Sequence, residues 1–173
     1  MPHLNSAAVA SPTDTGPAGI TLRPVTDEDT EFLFALYAST RAEELAVTGW
    51  SDEQKLAFLR MQFAAQTTDY ERRFSQTASF DVVELDGVPI GRLYVERNPG
   101  EIHIVDVALL PRHRGRGIGA ALIRGLQAEC RESHRRLSIY VETFNRAQSL
   151  YRRLGFVPVR DEGVYLYMEW ADR

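Results

Sequence analysis

The 173-residue sequence has a single cysteine, no excess of basic residues and no long apolar run. Cys130 has no second cysteine to pair with, so an internal disulfide is excluded, and no cysteine and histidine residues have zinc-site spacing. No stretch approaches the roughly 18 to 20 apolar residues that a membrane-spanning helix needs. The formal net charge of −4 disfavours nonspecific nucleic-acid binding, which usually draws on a basic surplus. We therefore expect a cytoplasmic protein with no metal site, no membrane partner and no nucleic-acid partner.

The composition, with 44% hydrophobic residues, is that of one globular domain with a sizeable core. The first 18 residues are rich in Pro, Gly, Ser, Thr and Ala, and apart from Met1 their only larger apolar groups are Leu4 and Val9. Such a segment cannot offset the entropy cost of ordering, so we predict a flexible tail. It lacks the basic start and apolar stretch of a secretory signal. The single domain is expected over residues 19–173.

Hydrophobic periodicity predicts a mixed α/β fold around one sheet. A short strand begins at Ile20, and two amphipathic helices follow it. Capping-box spacings mark the helix starts, at Thr26 and Asp29 for the first helix and at Ser51 and Gln54 for the second. The pattern of the whole chain predicts about six to seven strands flanked by about four helices.

The middle of the chain predicts a meander followed by a strand–helix–strand unit. Asp86-Gly87 lies between two apolar runs and is the strongest hairpin signal in the chain. The strand at Glu101–Leu109, the helix from Gly117 and the strand from Leu137 follow in that order. Such a unit implies a right-handed crossover, with its two strands paired in parallel. Cys130 falls on the apolar side of the helix, which favours a position in the core.

A glycine-rich turn, Arg112-His113-Arg114-Gly115-Arg116-Gly117-Ile118-Gly119, connects the first strand of this unit to its helix. Glycines let backbone N–H groups approach a ligand closely, and a helix start adds unpaired donors. Together they favour a phosphate or pyrophosphate ligand. The turn lacks the Lys-Ser/Thr of a P-loop and the G-x-G-x-x-G of a dinucleotide fold. The alternative is an ordinary strand-to-helix turn with a solvated basic rim.

The turn and a second segment resemble the GNAT superfamily of N-acetyltransferases. Arg114, Gly117 and Gly119 match the signature R/Q-x-x-G-x-G/A. Downstream, the residues from Asn145 to Phe156 match the family-like pattern N-x-x-A-x-x-L-Y-x-x-L-G-F. The resemblance implies a GNAT-like α/β fold and an acetyl-CoA-dependent acetyl transfer to an amine by direct attack in a ternary complex.

The resemblance also implies a set of site residues. Backbone groups of the strand end and the turn are expected to contact the pantetheine arm and the pyrophosphate of acetyl-CoA, and these residues are Val107, Ala108, Leu109, Arg114, Gly115, Arg116, Gly117, Ile118, Gly119 and Ala120. Asn145 is expected to hydrogen-bond the pantetheine. Tyr151 matches the position where many members place a tyrosine that protonates the departing thiolate. Its alternative role is that of a core aromatic.

An acceptor ammonium must lose a proton before it can attack. The candidates for the base are His103 and Asp106 on the strand before the turn, Glu101 at its start and Glu142 at the end of the next strand. By resemblance His103 is the first choice. Glu142 is the second, while many members of the family use no dedicated base. His103 has the alternative of a structural histidine in the sheet. Uninterrupted alternation places His103 and Asp106 on opposite faces of their strand. Asp106 is then either paired structurally or, if the strand bulges, a substrate ligand.

The acceptor is expected to be the amine of a small molecule or a peptide. Glu43, Glu44 and Trp50 lie between the first two helices, in the segment that borders the acceptor site of similar folds. Their alternative roles are a solvated helix end and simple packing. The exposed final strands allow a homodimer. Two other functions remain open, a CoA-binding regulatory or assembly protein without turnover and an acyltransferase that uses another acyl-CoA.

Overall fold

A computed structural model describes residues 18–172, which form seven strands and four α-helices. The predicted tail, apart from Ala18, lies outside the described residues. The strands are β1 (Ile20–Pro24), β2 (Ala78–Leu85), β3 (Val88–Asn98), β4 (Glu101–Leu109), β5 (Arg136–Glu142), β6 (Val157–Asp161) and β7 (Tyr165–Trp170). The helices are α1 (Thr30–Ala46), α2 (Asp52–Phe74), α3 (Ile118–Ser133) and α4 (Gln148–Arg153). Among these residues no helix has both the length and the apolar composition to cross a membrane.

All seven strands belong to one mixed sheet in the order β1-β2-β3-β4-β5-β7-β6. The pair β4–β5 is parallel, and α3 connects its two strands, whereas the other neighbours are antiparallel. The predicted number of strands and helices and the parallel strand–helix–strand unit are therefore confirmed. The hairpin at Asp86-Gly87 is also confirmed, with φ of 51° and 79° at its two central residues.

A β-bulge interrupts the pairing of β4 with β3. Tyr94 lies opposite Asp106 and Val95 lies opposite Ile104, so Val105 has no partner in the register. The extra residue reverses the alternation of all residues that follow it in the strand. His103 and Asp106 consequently lie on the same face, and the expectation of opposite faces was wrong because it assumed an uninterrupted strand.

The parallel pair β4–β5 stays joined for only part of its length. Its register runs from Glu101 opposite Arg136 to Ile104 opposite Ile139, and the pairing ends there. Both strands continue, to Leu109 and to Glu142. The β4 edge that faces β5 is therefore unpaired from Val105 onward, and a gap opens between the two carboxyl ends.

The core has two parts, on opposite faces of the sheet. Side chains of α3 pack against β3, β4, β5 and β7 in the larger part, which includes Ile104, Leu126 and Cys130. The α1–α2 pair forms the smaller part, around Tyr37 and Phe63. Desolvation raises the pKa of the buried Cys130 thiol to about 11, in agreement with its predicted core position.

The carboxylate of Asp29, the residue directly before α1, is held by several hydrogen bonds. Asp29 accepts two hydrogen bonds of 2.8 Å from the guanidinium of Arg23 on β1 and one of 2.8 Å from the backbone N–H of Thr26. The Arg23 hydrogen bonds hold the pKa of Asp29 at about 2, against an ordinary value of 3.8. The Thr26 bond belongs to the capping box that the spacing of Thr26 and Asp29 predicted. The Arg23 bonds, which were not predicted, fix the start of α1 to the edge of the sheet.

We predict that Asp29→Asn lowers the free energy of unfolding by about 1 to 2 kcal/mol at pH 7, because a charged hydrogen-bond acceptor is lost. Because the pKa of Asp29 is depressed from 3.8 to about 2, its contribution is complete above pH 3.8 and is lost as the pH falls toward 2. Denaturant unfolding of both proteins across this range measures the difference. The matched control is Asp27→Asn in the same turn, where the carboxylate is exposed. An equal effect of both substitutions at pH 7 contradicts the prediction.

Candidate functional site

The glycine-rich turn presents a row of unpaired backbone donors. Gly115 and Gly117 have φ of 70° and 81°, and a Cβ at either position would meet no atom within 4 Å. Among the described residues, the N–H groups from Gly115 to Ala120 have no hydrogen-bond acceptor, and the helical pattern starts with the Ala121 N–H bonded to the Gly117 carbonyl. Six consecutive donors at the start of a 16-residue helix can hold an anionic group such as a pyrophosphate.

Arg114 has a different role from the rest of the turn. Its own N–H donates to the Pro111 carbonyl at 3.2 Å, so it is not a free donor. Its side-chain Nε donates to the Leu109 carbonyl at 2.8 Å. The side chain therefore links the turn to the last residue of β4. We infer that Arg114, the arginine of the family signature, stabilises the conformation of the turn.

The end of β4 lies unusually close to β3. A Cβ at Gly91 would overlap the Ala108 carbonyl and would lie 2.7 Å from Leu109 Cδ2, so only glycine fits opposite this strand end. The Leu110 N–H also donates to the Ile90 carbonyl at 2.8 Å. These contacts fix Val107, Ala108 and Leu109 on the β3 side and leave their other edge, toward β5, open for a ligand.

Two candidate residues of the second matched segment follow β5 in the chain. Tyr151 of α4 is 4% exposed and packs against Phe156, with a centroid distance of 5.7 Å. Burial, and to a smaller extent the charge of Asp106, raises the pKa of its phenol. Asn145 accepts a hydrogen bond of 2.8 Å from the Ala147 N–H through Oδ1. Its amide N–H groups have no acceptor among the described residues, so they are available to a ligand.

A cavity of about 160 Å³ lies where β4 and β5 diverge. Asp106 lines it from β4 and Glu142 from β5, and both residues lie beyond the last paired residues of their strands. Tyr37, Thr40, Arg41 and Glu44 line it from α1. The cavity therefore opens directly onto the gap in the sheet and borders the segment that was expected to contact the acceptor.

A buried ion pair forms one wall of this cavity. Arg92 Nη2 donates to Asp106 Oδ2 at 2.7 Å and to Gln66 Oε1 at 2.9 Å, and the Tyr70 hydroxyl donates to the same Asp106 oxygen at 2.7 Å. Burial is the largest single influence and by itself lowers the pKa of the Arg92 guanidinium, but Asp106, Tyr94 and Tyr70 together outweigh it and the net pKa is raised. Burial and the Asp106 charge also raise the pKa of Tyr70. Arg92 therefore stays positively charged and Tyr70 keeps its phenol proton, as their hydrogen bonds to Asp106 require.

The two candidate bases have different surroundings. Glu142 lines the cavity, with Arg41 Nη1 at 3.7 Å from its carboxylate. His103 is not among the cavity residues, and its Nδ1 lies 2.8 Å from Ser138 Oγ on β5. Burial lowers the pKa of His103 despite the nearby charge of Glu101. The imidazole is therefore neutral at pH 7, but its observed partner is in the sheet.

The three acceptor-site candidates before α2 also differ in whether they line the cavity. Glu44 lines the cavity and pairs with Arg41 at 3.0 Å, whereas Glu43 is exposed and is not among the cavity residues. Trp50 packs edge-on against Phe58 of α2, with a centroid distance of 5.2 Å. Of the three residues, the structure brings only Glu44 to the cavity.

Comparison with known proteins identifies the family of this chain. The sequence profile described as the Acetyltransferase (GNAT) family matches residues 31–156. The chain belongs to this family. GNAT membership indicates acetyl transfer with a CoA-type cofactor, in agreement with the free donors of the turn.

Solved GNAT structures share the fold. A PaiA N-acetyltransferase from Thermoplasma acidophilum, crystallised in complex with coenzyme A, superposes with a TM-score of 0.67 at 19% identity, covering 88% of this chain and 99% of that chain. An acetyltransferase from Thermus thermophilus superposes with a TM-score of 0.65 at 20% identity, covering 91% and 100%. At these identities the likeness establishes the fold alone.

A curated relative comes from Bacillus subtilis (strain 168) and carries the provisional name of a [ribosomal protein bS18]-alanine N-acetyltransferase. The two sequences are 34% identical over 83 residues, which make up 47% of this chain and 55% of the relative. The match therefore spans about half the length of that protein.

Sequence reasoning missed Arg92, Tyr70 and Gln66. The sequence did contain a signal for Arg92. Arg92 and Asp106 carry opposite charges, and each interrupts an apolar strand of the predicted meander. A charge inside a buried strand requires a partner, and neighbouring antiparallel strands can supply one. Nothing in the sequence indicated that the two helical residues would join this pair.

We predict that Gly117→Glu abolishes the stabilisation of the protein by CoA. CoA at about 100 times its dissociation constant should add roughly 2.7 kcal/mol to the wild type, as measured by thermal unfolding. The matched control is Gly163→Glu in the β6–β7 turn, which has the same φ of 81° and the same open space around a Cβ. Both variants should lose similar stability without CoA, and only Gly163→Glu should retain the shift. A full shift in Gly117→Glu would show that the turn does not hold CoA.

Proposed function

We propose that this protein transfers the acetyl group of acetyl-CoA to a primary amine by direct attack in a ternary complex. The observation that carries the proposal is the gap between β4 and β5 after Ile104. The unpaired N–H groups of the turn follow β4 directly in the chain, and a cavity lined by carboxylates borders the gap. A donor bound at the turn and an acceptor bound in the cavity can therefore meet at the same opening.

The donor side fits a CoA thioester. The N–H groups from Gly115 to Ala120 bind the pyrophosphate, and the side chains of Arg112 and Arg116 add positive charge at the exposed rim. The open edge of Val107–Leu109 and the free amide of Asn145 bind the pantetheine arm. A backbone N–H near Leu109 polarises the thioester carbonyl, whose acetyl group is the part transferred.

Tyr151 is the general acid of the proposed reaction. The amine lone pair forms the new C–N bond, the C–S bond breaks, and Tyr151 gives its proton to the departing thiolate. The proton that the new amide nitrogen then releases restores the phenol of Tyr151. The raised pKa keeps its phenol protonated at neutral pH. Its position on α4, directly after the Asn145 turn, agrees with this role.

The proton of the ammonium passes to Glu142 or His103, directly or through water. Glu142 lines the cavity, which supports it as the base. His103 remains the alternative, since its neutral imidazole can accept a proton if the Ser138 hydrogen bond leaves Nε2 free.

The proposed function is tested by incubating the protein with a panel of primary amines and acetyl-CoA and measuring released CoA. Succinyl-CoA in parallel distinguishes acetyl transfer from another acyl transfer. We expect amine-dependent release with acetyl-CoA as the better donor. Thermal stabilisation by CoA without release for any amine would favour a CoA-binding protein without turnover.

We predict that Tyr151→Phe lowers kcat about 10²- to 10⁴-fold, the range of a lost general acid, while the affinity for CoA stays the same. Steady-state kinetics and calorimetric CoA titration measure the two quantities. The matched control is Tyr165→Phe at an exposed position of β7. Unchanged kcat in Tyr151→Phe would leave this residue as a core aromatic only.

We predict that Glu142→Gln lowers kcat at least tenfold at pH 7, because the proton acceptor in the cavity is lost. His103→Gln should change kcat less than threefold, because the side chain is held by Ser138 outside the cavity. The decisive measurement is the pH dependence of kcat/KM for both variants. The opposite ranking would assign the base to His103, and no effect in either variant would indicate a reaction without a dedicated base.

A further inference from the structure

The cavity contains a carboxylate oxygen that the protein leaves unused. Both hydrogen bonds to Asp106, from Tyr70 and from Arg92, end on Oδ2. Within residues 18–172 no donor reaches Oδ1. The Asp106 side chain is 15% exposed and lines the cavity. The bulge at Val105 turns it onto this face, so the free oxygen belongs to the wall of the proposed acceptor site.

The neighbouring arginine also has unused hydrogen-bonding capacity. Arg92 is 4% exposed, lines the same cavity, and its Nε has no partner among the described residues. Buried donors in native proteins are normally paired with protein, water or a ligand. Because Nε is itself buried, the free oxygen of Asp106, rather than this donor, is the group that a polar ligand in the cavity can complete.

The opposite wall offers a second set of donors. Arg41 of α1 uses only Nη1 in its contacts with Glu44 and Glu142. Its Nε and Nη2 have no acceptor among the residues that the structure describes. Arg41 thus presents free N–H groups to the cavity that contains the free oxygen of Asp106. The cavity can bind a cation and a neighbouring oxygen together.

The residues that line the cavity also restrict which chemical groups can lie next to the acceptor amine. Every side chain that lines the cavity carries a polar atom, and its volume is only about 160 Å³. The methylene chain of a lysine or an alkylamine would lie against charged groups and satisfy none of them. Three carboxylates face two guanidinium groups here, which leaves one negative charge for an ammonium.

We propose that the acceptor is an α-amine next to a carbonyl, as in a peptide N-terminus or an amino acid amide. Its ammonium binds Asp106 Oδ1, and its carbonyl oxygen accepts from Arg41. This inference rests on the proposed acetyl transfer and deepens it by naming the acceptor class. Asp106 is then a substrate-binding residue, and the Tyr70 and Arg92 contacts position its carboxylate.

The test compares glycinamide with propargylamine, an amine of similar basicity that lacks the carbonyl. At saturating acetyl-CoA, we expect kcat/KM for glycinamide to exceed that for propargylamine at least tenfold. Asp106→Asn should raise KM for both amines about 10- to 100-fold, since a charged hydrogen bond is lost, with the affinity for CoA unchanged. Arg41→Met should reduce kcat/KM for glycinamide and leave that for propargylamine within about threefold.

The matched control is Asp81→Asn, a half-buried carboxylate of β2 outside the cavity, which should leave all constants within about twofold. If Asp106→Asn does not fold, Asp106→Glu keeps the charge opposite Arg92 but displaces the free oxygen, and the same rise in KM is expected. Equal kcat/KM for the two amines overturns the α-amine assignment. An unchanged KM in folded Asp106→Asn or Asp106→Glu overturns the role of Asp106.

Failure of the proposed function has a different signature. If no amine is acetylated although CoA stabilises the protein, calorimetric titration of glycinamide into the CoA-bound protein still tests the binding site. Binding that weakens at least tenfold in Asp106→Asn supports the acceptor site without turnover. Absence of binding to the wild type overturns it.

Discussion

The extra residue in β4 is the constraint on which the rest of the site depends. A regular strand would carry Asp106 to the α3 face, into an apolar core where a carboxylate has no partner. With Val105 unpaired, Asp106 instead joins Tyr94 and Arg92 on the face covered by α1 and α2. The last paired residue toward β5 is Ile104, directly before the bulge. Bulges bend their strand, and the opening of the sheet begins at the same point.

The charged cluster behind this opening is stable only as a set. A buried ion pair gains little over apolar packing, but removing one partner leaves an uncompensated buried charge, which typically costs about 3 to 5 kcal/mol. Arg92 has Asp106 and Gln66 as partners, and Tyr70 supplies a further donor to the carboxylate. Because Tyr70 and Gln66 belong to α2, the same hydrogen bonds fix the helix against the sheet. The position of α2 and the orientation of Asp106 are thus coupled.

The elements that could be predicted from the sequence are those with a local cause. The turn at Asp86-Gly87 needs positive φ at both residues, and Gly117 starts α3 from a conformation that favours glycine. The bulge could not be predicted, because the strand sequence from Glu101 to Leu109 contains no glycine or proline that would mark an extra residue. The side-chain face of Asp106 was therefore predicted wrongly, although its residue type had already required a partner.

In the candidate site, too, the features with a local cause could be predicted and those that depend on packing could not. The free donors of the turn agree with the motif that indicated them, since backbone geometry follows from the glycines. The acceptor side could be predicted only in part, because it is built from α1, α2, β3, β4 and β5 and depends on how these elements pack. Glu44 faces the cavity, while Trp50 packs on α2 and the apolar position Leu56 stays exposed. Helical spacing predicts which residues share one face of a helix, but it does not predict which element packs against that face.

The burial of Cys130 has a practical consequence for the study of this reaction. It is the sole cysteine in the sequence, it is 1% exposed, and desolvation raises its pKa to about 11. Since thiolates are the species that react with disulfides and electrophiles, we expect the folded protein not to react with thiol-specific chromogenic reagents. Such reagents therefore report the coenzyme thiol liberated at each turnover without a background from the enzyme, and a signal from protein alone becomes a direct indicator of unfolding.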